Sequence, residues 1–216
     1  MADLKGVIFD YGGVLTSPLI NSMSSFVDGD GIDPDSFRDA MRDWLGTSYG
    51  EDAQESPVHA LERGEIEVPD FERELAKRLK TVDGRPVEGE GLLTRMFSGF
   101  GEEPIMAEAL KHAKAAGLST ALLSNSWGNT YPREGWDELF DVIVISGEVG
   151  MRKPEARIYH LVAQRLGLQP QECVFVDDLA PNIQGAAEVG MLGIHHVTPQ
   201  ETLDQLEALL GLSLRG

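Results

Sequence analysis

Three short apolar runs in this sequence end on groups that could act together on a phosphate. Asp10 follows Val7-Ile8-Phe9, Ser124-Asn125 follows Thr120-Ala121-Leu122-Leu123, and the doublet Asp177-Asp178 follows Val174-Phe175-Val176. Lys153 lies beyond a fourth run, Val142-Ile143-Val144-Ile145. Two ionised carboxylates ~4 Å apart repel by about 4 kcal/mol at an effective dielectric near 20. An acidic doublet ending a buried strand therefore shifts toward protonation unless a cation sits between it and Asp10. Mg²⁺ suits that place, because it prefers oxygen ligands, keeps several waters and bridges carboxylates to substrate phosphate. Asp10 is followed by Tyr11-Gly12-Gly13, and two successive glycines let the backbone turn tightly and bring its amides close to a small anion. An Asp beside such a metal, facing a phosphate held by amides, can attack phosphorus and form an aspartyl-phosphate. Ser124 and the Asn125 amide can donate to the equatorial oxygens, and Lys153 offsets their charge.

Positioning these groups requires a particular scaffold. The four runs above and a fifth, Ile194-His195-His196-Val197, are short and β-rich, and the first four are continuously or almost continuously apolar, as strands covered on both faces are. Helical stretches with recognisable ends separate them. Ile105 to Ala116 stops at Gly117, Pro154 to Leu166 opens on a proline and stops at Gly167, and Asn182 to Val189 stops at Gly190. Thr198-Pro199-Gln200-Glu201 reads as a capping box opening a helix through Leu210. This alternation predicts an α/β fold, doubly wound around a largely parallel five-stranded sheet, in which ligands gather at the carboxyl ends of the strands. The interval from Ser17 to Phe97 shows no convincing strand and three helix candidates, Pro34 to Leu45, Pro57 to Arg63 and Pro69 to Leu79, with Gly84 to Gly91 as a flexible return path. We therefore expect an α/β core from residues 1–16 and 98–216, and an inserted helical cap over 17–97 hinged near Thr16 and Ser98.

Charge and composition narrow the partners. Lys plus Arg is 18 and Asp plus Glu is 36, a formal net charge of −18, which argues against nucleic acid or an anionic membrane surface as a partner. No apolar run approaches the ~20 residues needed to cross a bilayer, and Met1 to Gly6 does not open a signal-peptide core. The single cysteine, Cys173, reads as a buried apolar filler and fits a reducing cytoplasm. A small phosphorylated metabolite is the expected partner, handled by a monomer or a homodimer.

Four motifs in order, Val7-Ile8-Phe9-Asp10, Leu122-Leu123-Ser124-Asn125, Lys153-Pro154 and Val174-Phe175-Val176-Asp177-Asp178, resemble those of the haloacid dehalogenase-like hydrolases. The stretches Gly150 to Tyr159, Asp177 to Ile183 and Glu62 to Ile66 look like the bacterial α-D-glucose-1-phosphate phosphatases and the N-terminal phosphatase domain of soluble epoxide hydrolase. The resemblance implies a Mg²⁺-dependent phosphatase with Asp10 as nucleophile and the cap closing over substrate. By position it implies metal ligation by Asp10, the Gly12 carbonyl and Asp178, with Asp177 acting directly or through a water. Phosphate binding would fall to Gly12, Gly13, Ser124, Asn125 and Lys153.

One position departs from the pattern. Most phosphatases of this family carry a second Asp, as general acid and base, where this chain has Gly12. Such proton transfer is worth ~10²–10⁴-fold. Its loss is open to three readings: a leaving group that departs with little help, such as an anomeric sugar hydroxyl; a water or another side chain in place of the acid; or a module that binds phosphate esters without turning them over. A dehalogenase needs no metal and leaves Asp177-Asp178 unexplained. A phosphonatase needs a cap lysine, but Lys77 and Lys80 read as a solvated face. Trp127, Trp44, Arg133 and His59 are the candidates for stacking on or hydrogen-bonding a sugar. His195 and His196 read as structural, and His112 and His160 carry no signal.

Overall fold

The computed structural model describes residues 3–45, 56–128 and 131–215. After β1 (Gly6–Phe9) come α1 (Leu19–Gly29), α2 (Pro34–Leu45), α3 (Pro57–Glu62), α4 (Val68–Arg78), α5 (Leu92–Phe97) and α6 (Pro104–Ala115). The chain continues with β2 (Ser119–Ser124), α7 (Trp136–Leu139), β3 (Val142–Ile145), α8 (Ser146–Val149) and α9 (Ala156–Leu166). It ends with β4 (Cys173–Asp177), α10 (Ala180–Glu188), β5 (Leu192–His195) and α11 (Pro199–Leu210). The strands form one parallel sheet in the order β3-β2-β1-β4-β5, the doubly wound α/β architecture expected from the alternation of runs.

Both faces of the sheet are covered, which is why its strands carry no polar alternation. Successive side chains of β1 point to opposite faces. Val7 and Phe9 pack with Leu110 of α6 and Leu206 of α11, while Ile8 packs with Tyr159 of α9 and Ala186 of α10. Cys173 sits in the second of these clusters, fully buried, and burial pushes its thiol up to about 11, so it behaves as an inert apolar side chain.

Between β1 and α6 the chain forms a helical layer with its own apolar cluster, in which Val58, Phe71, Leu75, Leu92 and Met96 are fully buried. Here the structure differs from the sequence expectation in three ways. Two further helices, α1 and α5, flank the three foreseen, and they pack on each other. The return path from Gly84 to Gly91 is tied down. Arg95 donates to the Glu88 and Glu90 carbonyls at 2.6 Å each and to Asp30 at 2.7 Å. The residues entering and leaving the layer also pair with each other, through a Thr16–Glu102 bridge and a 2.8 Å bond from Ser17 N–H to the Gly101 carbonyl. Gly46, expected to end α2, lies outside the described residues.

Three boundaries in the core shift. The fifth strand covers Leu192–His195 rather than residues 194–197, and Val197 is 66% exposed beyond it. Gly193 lies within the strand, and a Cβ there would fall 2.6 Å from Ile183 Cγ2, so glycine lets α10 close onto the sheet. Pro154 does not open α9. The Lys153–Pro154 peptide is cis, Glu155 is extended, and the helix starts at Ala156. Helix α10 starts at Ala180, two residues before the expected Asn182, with Pro181 in its first turn. Thr198 caps α11 as foreseen, accepting from Glu201 N–H at 3.3 Å.

Candidate active site

The parallel register sets the floor of the site. Phe9 is level with Leu122 on one side and Val176 on the other, so Asp10 and Asp177 leave the sheet at the same height. Asp10 N–H still bonds the Val176 carbonyl at 2.9 Å, which fixes the backbone of the acid to the neighbouring strand. Its Oδ1 accepts from Tyr11 N–H at 2.7 Å and lies 2.8 Å from the Lys153 ammonium.

Lys153 is 1% exposed and is gripped from several directions. Its ammonium donates to Asp177 Oδ2 at 2.6 Å and stands 5.4 Å from the centre of the Phe175 ring. The Asn125 carboxamide brackets its backbone, donating to the Lys153 carbonyl at 3.1 Å and accepting from Lys153 N–H at 2.8 Å. Burial alone would lower the ammonium's pKa, but the carboxylates of Asp10 and Asp177 outweigh burial and hold it above the ordinary lysine range. Lys153 is therefore a fixed positive charge in an acidic protein.

The carboxylate doublet divides in two. Asp177, fully buried, accepts from Lys153, from Asn182 Nδ2 at 3.0 Å on each oxygen, and from Leu179 N–H at 2.8 Å. Asp178 borders the cavity instead, against the Gly12-Gly13 turn. Gly13 has φ +75°, and a Cβ there would fall 2.3 Å from Asp178 Oδ2, so glycine is required on both counts. Its N–H donates to Thr16 Oγ1 at 3.1 Å. A role for Asp177 in orienting Lys153 and Asn182 was not legible from the sequence, because adjacency does not reveal which carboxylate turns inward.

Oxygens from Asp10, Asp177 and Asp178 all lie within 4.8 Å of one another. Burial raises the pKa of Asp10, Lys153 opposes the rise, and repulsion from Asp177 and Asp178 adds to it. Burial, followed by Asp177, pushes Asp178 up to about 6. The single ammonium does not balance three carboxylates. A hard divalent cation fits this all-oxygen donor set, and the missing Cβ of Gly13 lets the Asp178 carboxylate lie against the turn as part of it. Such an ion would favour the ionised form of Asp10.

Above the carboxylates lies a cavity of about 690 Å³, walled on the helical-layer side by Met23, Phe97 and Phe100 and on the sheet side by Ser124, Trp127 and Tyr131. Phe97 and Phe100 stack at 5.3 Å, and Trp127 meets Phe97 edge-on at 5.8 Å. Of the four expected sugar contacts only Trp127 reaches this cavity, and its indole N–H is committed to Glu62 Oε1 at 3.1 Å. Trp44 and His59 are buried within the helical layer, and Arg133 pairs with Glu148 at the surface. His196 is buried and bonds Thr202 at 2.8 Å, while His195 meets the Asp178 carbonyl at 2.9 Å and so braces the loop carrying that acid. Tyr131, which gave no signal in the sequence, places its hydroxyl 3.0 Å from Ser124 Oγ.

The family model of the haloacid dehalogenase-like hydrolases matches residues 4–190. The chain belongs to that hydrolase family. It is 29% identical to the sesquiterpene phosphatase astK of Aspergillus oryzae over 96% of this chain and 97% of that protein. It is 27% identical to the bifunctional epoxide hydrolase 2 of Sus scrofa over 98% of this chain but 40% of that protein. It is 40% identical to the acyl-CoA dehydrogenase family member 10 of Mus musculus over 51% of this chain and 11% of that protein. The chain thus spans well under half of these two larger relatives. Among solved structures, a HAD family enzyme from Bacteroides thetaiotaomicron, an Asp-to-Ala mutant in complex with magnesium and inorganic phosphate, shares the fold. The two superpose with a TM-score of 0.63 at 19% identity, over 88% of this chain and 93% of that one. Likeness to the phosphatase branch, expected from the stretches Gly150 to Tyr159, Asp177 to Ile183 and Glu62 to Ile66, holds in the astK and epoxide hydrolase 2 matches. Among the described residues no helix is long and apolar enough to cross a membrane.

Proposed function

We propose that this protein is a Mg²⁺-dependent phosphomonoester hydrolase that works through phospho-Asp10. The observation carrying this reading is the Asp10 carboxylate on the cavity floor, held 2.8 Å from a buried ammonium inside a three-carboxylate cluster. Asp10, Asp178 and the Gly12 carbonyl would hold Mg²⁺, with Asp177 reaching it through a water because its oxygens already take donors. When bound, the ion supplies positive charge that keeps Asp10 ionised and offsets the phosphoryl oxygens. Residues 17–97 act as the cap over the core.

In this scheme Asp10 attacks phosphorus, the ester oxygen leaves, and water then releases inorganic phosphate from Asp10. Ser124 Oγ and the Asn125 backbone amide would line the phosphoryl oxygens, whereas the Gly13 N–H expected beside them is taken up by Thr16 Oγ1. The Asn125 side chain instead holds Lys153 in place, and Asp177 aims its ammonium. Asp10→Asn tests the assignment. It should abolish turnover of p-nitrophenyl phosphate with Mg²⁺ while the circular dichroism spectrum is unchanged. Retained turnover would remove Asp10 from the mechanism. A binding module would show phosphate-ester affinity with no turnover in the wild type.

The walls also favour one class of ester. Phe97, Phe100, Trp127, Met23, Pro18 and Pro132 surround the space beyond the phosphate, and they suit an apolar alcohol moiety better than the sugar inferred from Gly12. The full-length likeness to a sesquiterpene phosphatase agrees with this. Prenyl or medium-chain alkyl phosphates should show a lower KM than glucose 1-phosphate.

A further inference from the structure

An apolar primary alcohol is a poor leaving group, so losing the acid at Gly12 leaves its alkoxide without an obvious proton. The cavity offers few donors that are not already engaged. The Trp127 indole N–H serves Glu62, the Asn125 carboxamide serves the Lys153 backbone, and the Lys153 ammonium is held between Asp10 and Asp177. Glu62 is a carboxylate tied to Arg152 at 2.5 Å. The Tyr131 hydroxyl is hydrogen-bonded as well, but its proton can rotate from one acceptor to another. It lies 3.0 Å from Ser124 Oγ and donates to the Asn125 carbonyl at 3.3 Å, so it sits across the strand end that would grip the phosphate. Its ring packs edge-on against Tyr11, the residue after the nucleophile, at 5.2 Å, and lies tilted against Trp136 at 5.7 Å. The hydroxyl is therefore fixed relative to the Asp10 loop by contacts on two sides.

We propose that Tyr131 is the proton donor to the leaving oxygen, taking the part of the acid absent at Gly12. The proposal rests on the phospho-Asp10 reading. As the P–O bond to the alcohol breaks and the bond to Asp10 forms, the phenolic proton passes to the departing alkoxide. Water attacking phospho-Asp10 then returns a proton to the phenolate, so that phosphate, the Asp10 carboxylate and neutral Tyr131 are restored. Burial, with Asp10 adding and Ser124 and Lys153 opposing, pushes the phenol up to about 12, so it stays protonated until an alkoxide develops beside it. Lys153 is close enough to lower the phenol's pKa and so favours the transient phenolate.

Tyr131→Phe keeps the ring and removes the proton. With Mg²⁺ present, kcat/KM should be compared for p-nitrophenyl phosphate, whose leaving group needs no proton, and for hexyl phosphate, whose leaving group does. We expect the alkyl ester to lose ~10²–10⁴-fold and the aryl ester to lose at least tenfold less. Equal losses for both esters would make Tyr131 a phosphate contact or a packing residue and overturn the proposal. A selective alkyl-ester loss in Glu102→Gln but not in Tyr131→Phe would overturn it in favour of Glu102, whose carboxylate also borders the cavity. Asp10→Asn run alongside separates the two claims. Turnover of both esters in that variant refutes the underlying nucleophile, whatever Tyr131→Phe does.

Discussion

Glu62, at the end of α3, is the point where the helical layer is bolted to the sheet, and it offers a sharp test of what holds the two together. Its Oε2 accepts from Arg152 Nε at 2.5 Å, with side chains 6% and 5% exposed, and its Oε1 accepts from the Trp127 indole. Its backbone carbonyl accepts from Ser146 Oγ at 2.5 Å, and Gly64 passes so close to Gly147 that a Cβ would lie 2.8 Å from that carbonyl. Burial raises the Glu62 carboxyl pKa, and Arg152 pulls it back down. Glu62→Gln keeps the shape and the acceptor for Trp127 but leaves a buried guanidinium without its counter-charge. Breaking a buried pair in this way costs about 3–5 kcal/mol. For a chain of this length, where 1 kcal/mol moves Tm by about 2–4 °C, a loss of ~4 kcal/mol corresponds to a Tm lower by roughly 8–16 °C. Arg152→Met should cost a similar amount, because it strands the carboxylate. The double variant Glu62→Met/Arg152→Met buries neither charge, and its loss should fall well below the sum of the singles. Thermal melts by circular dichroism, with Trp127 fluorescence reporting local opening, measure all three. Single variants within 1 kcal/mol of wild type, or a double variant equal to their sum, would refute the view that this buried pair is a coupled fastening.

Other consequences concern the carboxylates. Without metal, folding raises the pKa of Asp178 to about 6 and moves that of Asp10 in the same direction, so the folded state holds more protons than the unfolded state above about pH 4. Stability in EDTA should therefore fall as pH rises from about 4 through 6 and beyond. Asp10→Asn should flatten that slope, and a flat wild-type profile would count against the clustered acids. Saturating Mg²⁺ should oppose the loss, adding about 2.7 kcal/mol at a concentration 100 times its Kd, measurable as a Tm shift. Gly13→Ala meets both a φ of +75° and a contact of 2.3 Å with Asp178 Oδ2. Left-handed backbone costs about 1–2 kcal/mol for a residue with a Cβ. Displacement of Asp178 should further raise the Mg²⁺ concentration for half-maximal activity, and an unchanged Mg²⁺ titration would place the metal elsewhere.

Much of this architecture is legible in the sequence because burial on two faces leaves an unambiguous mark. The four strands ending near Asp10, Ser124, Ile145 and Asp177 are apolar runs with little competing interpretation. The edge strand was harder to read, since Gly193 and the exposed Leu192 imitate a loop, and the reason for the glycine lies across space in Ile183. In the helical layer, α1 reads poorly because its proline precedes the helix and its cap makes no side-chain bond, and α5 begins from a left-handed Gly91 inside a glycine-rich stretch. The site shows the same division. Acids and the lysine at strand ends announce themselves by type, whereas Tyr131 and Glu62 acquire meaning only from partners distant in sequence or from the shape of a loop.

The Asp177-Asp178 doublet shows why adjacency itself carries information. Neighbouring residues at the end of a strand project to opposite sides. Register with β1 fixes which side each takes. Val176 lies beside Phe9, Asp177 turns down toward Lys153 and Asn182, and Asp178 turns up toward the Gly13 turn. A one-residue slip would exchange them, giving the lysine a half-exposed partner and turning toward the cavity a side chain whose oxygens now accept from three donors. The two acids are thus not redundant. One neutralises and aims the ammonium that must stay charged in a dry interior, and the other leaves oxygen facing the cavity where an ion and an ester could meet. The net charge of −18 is then less of an obstacle to binding a phosphate than the protein's long-range field suggests, because a positive charge is buried beside Asp10, the proposed nucleophile, and is set by two bonds.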